Sequence, residues 1–95
     1  MIEIKQIKEG TKGRFAAMDT GKEAGAIFYT SAGESKIILD HTEVNDAYRG
    51  QGIGKIILMK IVDFARENNI KIIPLCPFAK SVFDKTESIR DVLSD

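Results

Sequence analysis

The spacing of apolar residues first changes from strand-like to helical at Arg49-Gly50-Gln51-Gly52-Ile53-Gly54-Lys55. Just before it, Lys36 to Val44 reads as a strand. Just after it, Ile53, Ile56, Ile57, Lys60, Ile61, Phe64 and Ala65 recur at helical spacing, with only Lys60 polar. Strand, glycine loop and helix in that order constrain the middle of the fold. Glycines at alternate positions let a backbone come close to a ligand, because no Cβ stands in the way. The first amides of the helix lack partners and carry the positive end of its dipole, so the junction suits an anion, phosphate above all. Arg49 and Lys55 add positive charge on either side. A plain glycine-rich turn is the competing reading. Neither phosphate fingerprint fits: G-x-x-x-x-G-K-[ST] cannot be laid onto the loop, and G-x-G-x-x-G belongs near the start of a parallel βαβ unit.

Upstream, Ile2, Ile4 and Ile7 mark a first strand, followed by a turn at Gly10–Gly13 and a second strand over Arg14–Met18. Asp19-Thr20-Gly21-Lys22 turns the chain back into a strand over Ala24–Thr30, and Ser31–Glu34 turns it into the strand at 36–44. Short connections in succession imply an antiparallel meander. Leu58 and Val62 widen the apolar face of the helix, which is expected to pack under the sheet and to end at Asn68-Asn69. Ile70–Leu75 is a further short strand, parallel to 36–44 because a helix separates the two. Pro77 opens a second helix, where its missing N–H costs nothing. Asp84–Ser88 interrupts that helix, and Ile89, Val92 and Leu93 imply a last turn or two. The expected fold is α+β, a mixed and mostly antiparallel sheet of about five strands with one long and one short helix.

Ninety-five residues are expected to form one domain over 1–95. A chain this short buries about 60–70% of its unfolded surface, enough to fold without staples. Fourteen basic and fourteen acidic residues cancel, which argues against a nucleic-acid binder. Cys76 is the only cysteine, so no disulfide can close within the chain, and a lone thiol fits a reducing compartment. No stretch resembles a signal peptide or a membrane span. The expected setting is cytoplasmic, with no membrane or metal partner, and the oligomeric state is left open.

Arg49-Gly50-Gln51-Gly52-Ile53-Gly54 fills every position of Q/R-x-x-G-x-G/A at a strand-to-helix junction. In this it resembles the acetyl-CoA signature of the GCN5-related N-acetyltransferases, the GNAT superfamily. The order of elements over about 22–84 resembles that fold too. Leu39–Val44 and Cys76-Pro77-Phe78-Ala79-Lys80 are similar to its very small, stand-alone branch. The resemblance implies an acetyl-CoA-dependent transferase acting on an amine, small molecule or protein, of unknown identity. It implies that the strands at 36–44 and 70–75 splay into a V. There the pantetheine of coenzyme A would pair with main-chain groups of Thr42, Glu43 and Val44. The pyrophosphate would sit on the amides of Gln51, Gly52, Ile53, Gly54 and Lys55, with Arg49 and Gly50 completing the loop. Phe78 is a candidate to cover the pantetheine, and Lys80 to reach a phosphate.

His41, the only histidine, stands near the mouth of that V and is a candidate base for an incoming ammonium. Its expected face also carries Ile37, Leu39 and Glu43, so burial beside a carboxylate is the competing reading. Cys76 precedes Pro77 at a helix start, where unpaired amides favour a thiolate. It is a candidate either to take the acetyl group or to protonate the departing CoA sulfur. An inert core thiol is the alternative. The chain departs from larger relatives of the family in two ways. Residues 77–95 hold no tyrosine to act as proton donor, and no helices intervene between the first two strands to bind an acceptor. Those departures leave a second function open: a non-catalytic acyl-CoA-binding module, acting as a sensor or as a subunit of a complex. Tyr29 and Tyr48 are read as packing residues.

Overall fold

The computed structural model describes residues 1–94. Five strands form one sheet in the order of the sequence: β1 (Ile2–Glu9), β2 (Lys12–Asp19), β3 (Lys22–Ser31), β4 (Lys36–Val44) and β5 (Lys71–Pro74). The first three pairings are antiparallel, and β4 and β5 run parallel. The 16-residue helix α1 (Ile53–Asn68) makes the crossover between them, as the change of period requires. The helix α2 (Pro77–Lys85) and a 3-10 helix (Glu87–Val92) close the chain. Among the described residues no helix is long and apolar enough to cross a membrane.

The core lies on one face of the sheet. Phe15, Ile27, Tyr29, Leu39 and Ile72 from the strands meet Ile53, Ile57, Leu58, Ile61 and Val62 of α1, with Phe83, Ile89 and Val92 from the chain's end. The buried stripe of α1 therefore runs through Leu58 and Val62. Ile56, expected in the stripe, is 43% exposed. Spacing alone admitted both choices, and the sheet selects the side carrying the unbroken apolar run. Asn69 ends α1 in the left-handed region at φ 53°, where asparagine is tolerated, and the amide of Ile70 then donates to the carbonyl of Ala65 at 2.9 Å.

Besides a register shift between β2 and β3 at Ala17/Met18, two irregularities shape the sheet around β4. Between β3 and β4 the register steps from Tyr29↔Leu39 to Phe28↔His41, so one extra residue, Asp40, is inserted as a bulge. Thr30 Oγ1 donates to Asp40 Oδ2 at 2.6 Å across it. The bulge reverses which residues of β4 face the core. Thr42, opposite the buried Ile27, turns to the core side; His41 and Glu43, opposite Phe28 and Ala26, turn to the open face. His41 thus does not share a face with Ile37 and Leu39, which corrects the strict period-two reading. Second, the β4–β5 pairing stops at Leu39↔Pro74. Pro74 brings no N–H to a further rung, and the chain turns away at Leu75, 65% exposed.

Candidate functional site

Past Leu39 the two parallel strands diverge. The amide of Cys76 makes the last main-chain contact, donating to the carbonyl of Leu39 at 2.9 Å. On the other side of β4, the amide of Asn45 donates to the carbonyl of Ala24 in β3 at 2.8 Å. Successive residues of a strand send their main-chain groups to opposite edges. Those of Val44 and Thr42 therefore lie on the edge from which β5 has departed. A wedge lined by hydrogen-bonding backbone results, at the position where the V was expected.

Cys76 is 2% exposed and caps α2: its Sγ accepts from the amide of Ala79 at 3.4 Å. Its second partner is Thr42 Oγ1 at 2.9 Å, a contact that exists because the bulge at Asp40 turns Thr42 inward. The structure therefore joins Cys76 to Thr42. His41 is elsewhere: its Nε2 lies 3.3 Å from Glu43 Oε1, its side chain is 61% exposed, and its ring centroid is 5.9 Å from that of Phe28. His41 and Cys76 stand on opposite faces of β4 rather than side by side.

The glycine loop follows Val44 through a 3-10 turn at Asp46–Tyr48, capped by Asn45 Oδ1, which accepts from the amide of Ala47 at 3.0 Å. Gly52 caps α1 at φ 71° with no side-chain bond, a conformation that glycine adopts freely. The ladder of α1 starts with the amide of Ile56 donating to the carbonyl of Gly52 at 3.0 Å. The amides of Ile53, Gly54 and Lys55 are left at the helix end, as in any helix. Gln51 is a partial correction, since its amide donates to the carbonyl of Tyr48 at 3.3 Å. Arg49 is likewise engaged, its Nε 2.9 Å from Asp46 Oδ1, and Lys80 sits 3.2 Å from Asp84 on its own helix. Lys55 is the exposed cation at the start of α1 without an ion pair among the described residues.

Gly54 owes its identity to space. A Cβ there would stand 2.8 Å from the tip of the Phe78 ring. Phe78, 37% exposed in the first turn of α2, thus lies directly against the first turn of α1 and roofs the junction between loop and wedge.

Besides the Thr42–Cys76 contact, sequence reasoning missed a tie at the start of the loop. Tyr48 Oη donates to Asp19 Oδ2 at 2.7 Å, tying the start of the glycine loop to the β2–β3 turn. Each partner follows its own turn signal, but nothing in the sequence links residues so far apart.

A sheet opened between its two parallel strands, with a glycine loop and a helix start beside the opening, defines a protein of the acetyltransferase type of fold. A family model described as GCN5-related N-acetyl-transferase matches residues 14–92, and the chain belongs to that family. The solution structure of a GCN5-like protein from Staphylococcus aureus superposes with a TM-score of 0.71 at 39% identity, covering 97% of this chain and 87% of that one. A ribosomal-protein-alanine N-acetyltransferase from Brucella melitensis superposes at 0.68 and shares the fold at 19% identity, over 82% of this chain and 64% of that one. Protein NATD1 from Gallus gallus is 39% identical over 49 residues, 52% of this chain and 44% of that protein. The human NATD1 gives the same identity over 43% of its length, so the match spans less than half of these curated relatives.

Proposed function

We propose that the chain binds acetyl-CoA in the wedge and transfers the acetyl group to an amine. The observation that supports this most is the early end of the β4–β5 ladder, with main-chain groups of Thr42 and Val44 on the vacated edge and the start of α1 beside it. An amide-bearing arm fits such an edge as an added strand would. The amides of Ile53, Gly54 and Lys55 suit a pyrophosphate, and Phe78 covers the arm between the two. When bound, acetyl-CoA supplies a thioester whose carbonyl carbon an amine attacks.

In this reading the two faces of β4 divide the chemistry. The acceptor approaches the open face, where His41 is accessible. The Glu43 carboxylate at 3.3 Å favours the imidazole tautomer with its proton on Nε2, leaving Nδ1 to accept a proton from the ammonium. On the core side, Cys76 serves either as donor of a proton to the departing sulfur or as a transient acetyl carrier. Thr42 Oγ1 holds the sulfur in place for both roles.

The rival reading is a module that binds acyl-CoA without turnover. It is favoured by the absence of a tyrosine from residues 77–95. The two separate in one experiment. Thermal melts with acetyl-CoA, CoA, ATP and NAD should shift with the CoA species alone, by about 2.7 kcal/mol at 100-fold over Kd. Thiol release from acetyl-CoA in the presence of assorted amines should then be present in wild type and lost in His41→Ala, which still shifts with CoA. A shift without thiol release supports the module, and no shift with either CoA species rejects both. Intact mass separates the two roles of Cys76: one added acetyl in wild type and none in Cys76→Ser marks a carrier.

A further inference from the structure

We propose that Tyr48 and Asp19 form a latch that positions the glycine loop for the pyrophosphate of CoA, making both of them positioning residues for cofactor affinity. This rests on the reading above, in which the amides of Ile53 to Lys55 receive that group. Residues 49–52 are all exposed, and a Cβ added at Gly50 or Gly52 would meet nothing within 4 Å. Packing therefore does not hold the loop. Its main chain hangs instead from Tyr48, whose amide donates to the carbonyl of Asn45 at 2.9 Å and whose carbonyl accepts from the amide of Gln51 at 3.3 Å. The half-buried ring of Tyr48 reaches back to the sheet, and its hydroxyl meets Asp19 Oδ2 at 2.7 Å.

The far side of the latch is a tight hairpin turn. Asp19 ends β2, and Thr20 and Gly21 form a two-residue turn with φ 50° and 84°, closing on the pair Asp19↔Lys22. The other carboxylate oxygen, Oδ1, lies 3.3 Å from the amino group of Met1 and 3.5 Å from Thr20 Oγ1. The carboxylate thus has two further contacts, while among the described residues the loop has one side-chain tie to the sheet. The Asp19 bond holds the Tyr48 phenol above its ordinary range, and the Tyr48 hydroxyl holds the Asp19 carboxyl below its own, so the bond is charge-assisted at neutral pH.

A tyrosine present only for packing would lose nothing as phenylalanine, because its hydroxyl would be equally satisfied by water. Loss of one charge-assisted hydrogen bond that positions a ligand-binding loop should weaken CoA by about threefold to tenfold. The test is the CoA dissociation constant of the full chain as wild type, Tyr48→Phe, Asp19→Ala and the double variant, with the melting temperature of each unliganded protein alongside. The latch is supported if Tyr48→Phe weakens CoA by that factor, keeps an unliganded melting temperature close to wild type, and the double variant is no weaker than the weaker single. Unchanged CoA affinity in Tyr48→Phe overturns it. So does a loss of affinity matched by a loss of unliganded stability, and so do effects that simply add. A wild-type protein without CoA affinity overturns the cofactor reading and the latch together, and is told apart by failing before any variant is made.

Discussion

The two ends of the β4–β5 pair are built in opposite ways. Where the parallel strands begin, the chain is tied repeatedly. The amide of Lys71 donates to the carbonyl of Ser35 at 2.8 Å, and that of Ser94 to the carbonyl of Ile72 at 2.9 Å. Arg66 of α1 forks onto Asp91, with Nε to Oδ2 at 3.0 Å and Nη2 to Oδ1 at 2.7 Å, and also reaches the carbonyl of Ser88 at 2.8 Å. Lys71 Nζ adds a bond to the carbonyl of Asp91 at 2.7 Å. Where the strands end, β5 turns away after four rungs and, among the described residues, Cys76 alone bridges back. The closed end holds the strands at a fixed separation, and the open end exposes a backbone edge without collapsing. Substitutions at the first should move stability, and substitutions at the second should move ligand affinity.

The strongest way to break that contrast is Ile72→Ala. Ile72 is fully buried beside the closed end, so truncation removes core contacts and leaves a cavity. Denaturant unfolding should show a loss of about 2–5 kcal/mol. In the folded fraction, CoA affinity should stay at the wild-type value. A large loss of affinity there would mean that the two ends are not separable.

Gly54→Ala probes the open end with a smaller effect. The new Cβ would sit 2.8 Å from the Phe78 ring, which is half exposed and can swing outward. The expected stability cost is about 1 kcal/mol, at the low end of overpacking. Loss of CoA affinity should be the larger consequence, since the roof over the wedge is displaced. In a Phe78→Ala background the same substitution should be nearly silent in stability, a coupling that a double-mutant cycle by denaturation measures directly. Equal costs in both backgrounds would show that the helix itself, rather than the ring, resists the methyl group.

How much of this was legible beforehand divides by range in the sequence rather than by end of the pair. Local rules give the hairpin turns, the helical spacing of α1, the asparagine that ends it and the proline that opens α2, each read from a few adjacent residues. The glycine loop was legible as a strand-to-helix junction for the same reason. What escaped depends on long-range register. The bulge at Asp40 carries no signal of its own, because an aspartate in a strand with one polar edge fits either register. Yet it decides that Thr42 meets Cys76 and that His41 faces outward. The exposure of Ile56 and the bond from Tyr48 to Asp19 were hidden likewise, since each depends on which distant surface the segment meets.

The smallest effect sharpens the comparison through acid. The guanidinium of Arg66 beside Asp91 holds that carboxyl below its ordinary value of 3.8. A carboxyl depressed in the folded state contributes stability that is complete above its unfolded value and is lost as pH falls through the folded one. The contribution of this bridge should therefore stand at neutral pH and fade below the ordinary value of 3.8. Asp19 is depressed too, by Tyr48, so wild-type stability alone would mix the two sites. The difference between wild type and Arg66→Gln removes that ambiguity, because Asp19 is common to both. Both groups of the Arg66–Asp91 pair are solvent-exposed, so the gap between the two unfolding curves should be small at pH 7 and shrink with added salt. It should also close as the solution is acidified below the carboxylate range. CoA affinity measured at neutral pH should be the same in both proteins. A gap that persists in acid would assign the role of Arg66 to its bond with the carbonyl of Ser88, which does not titrate.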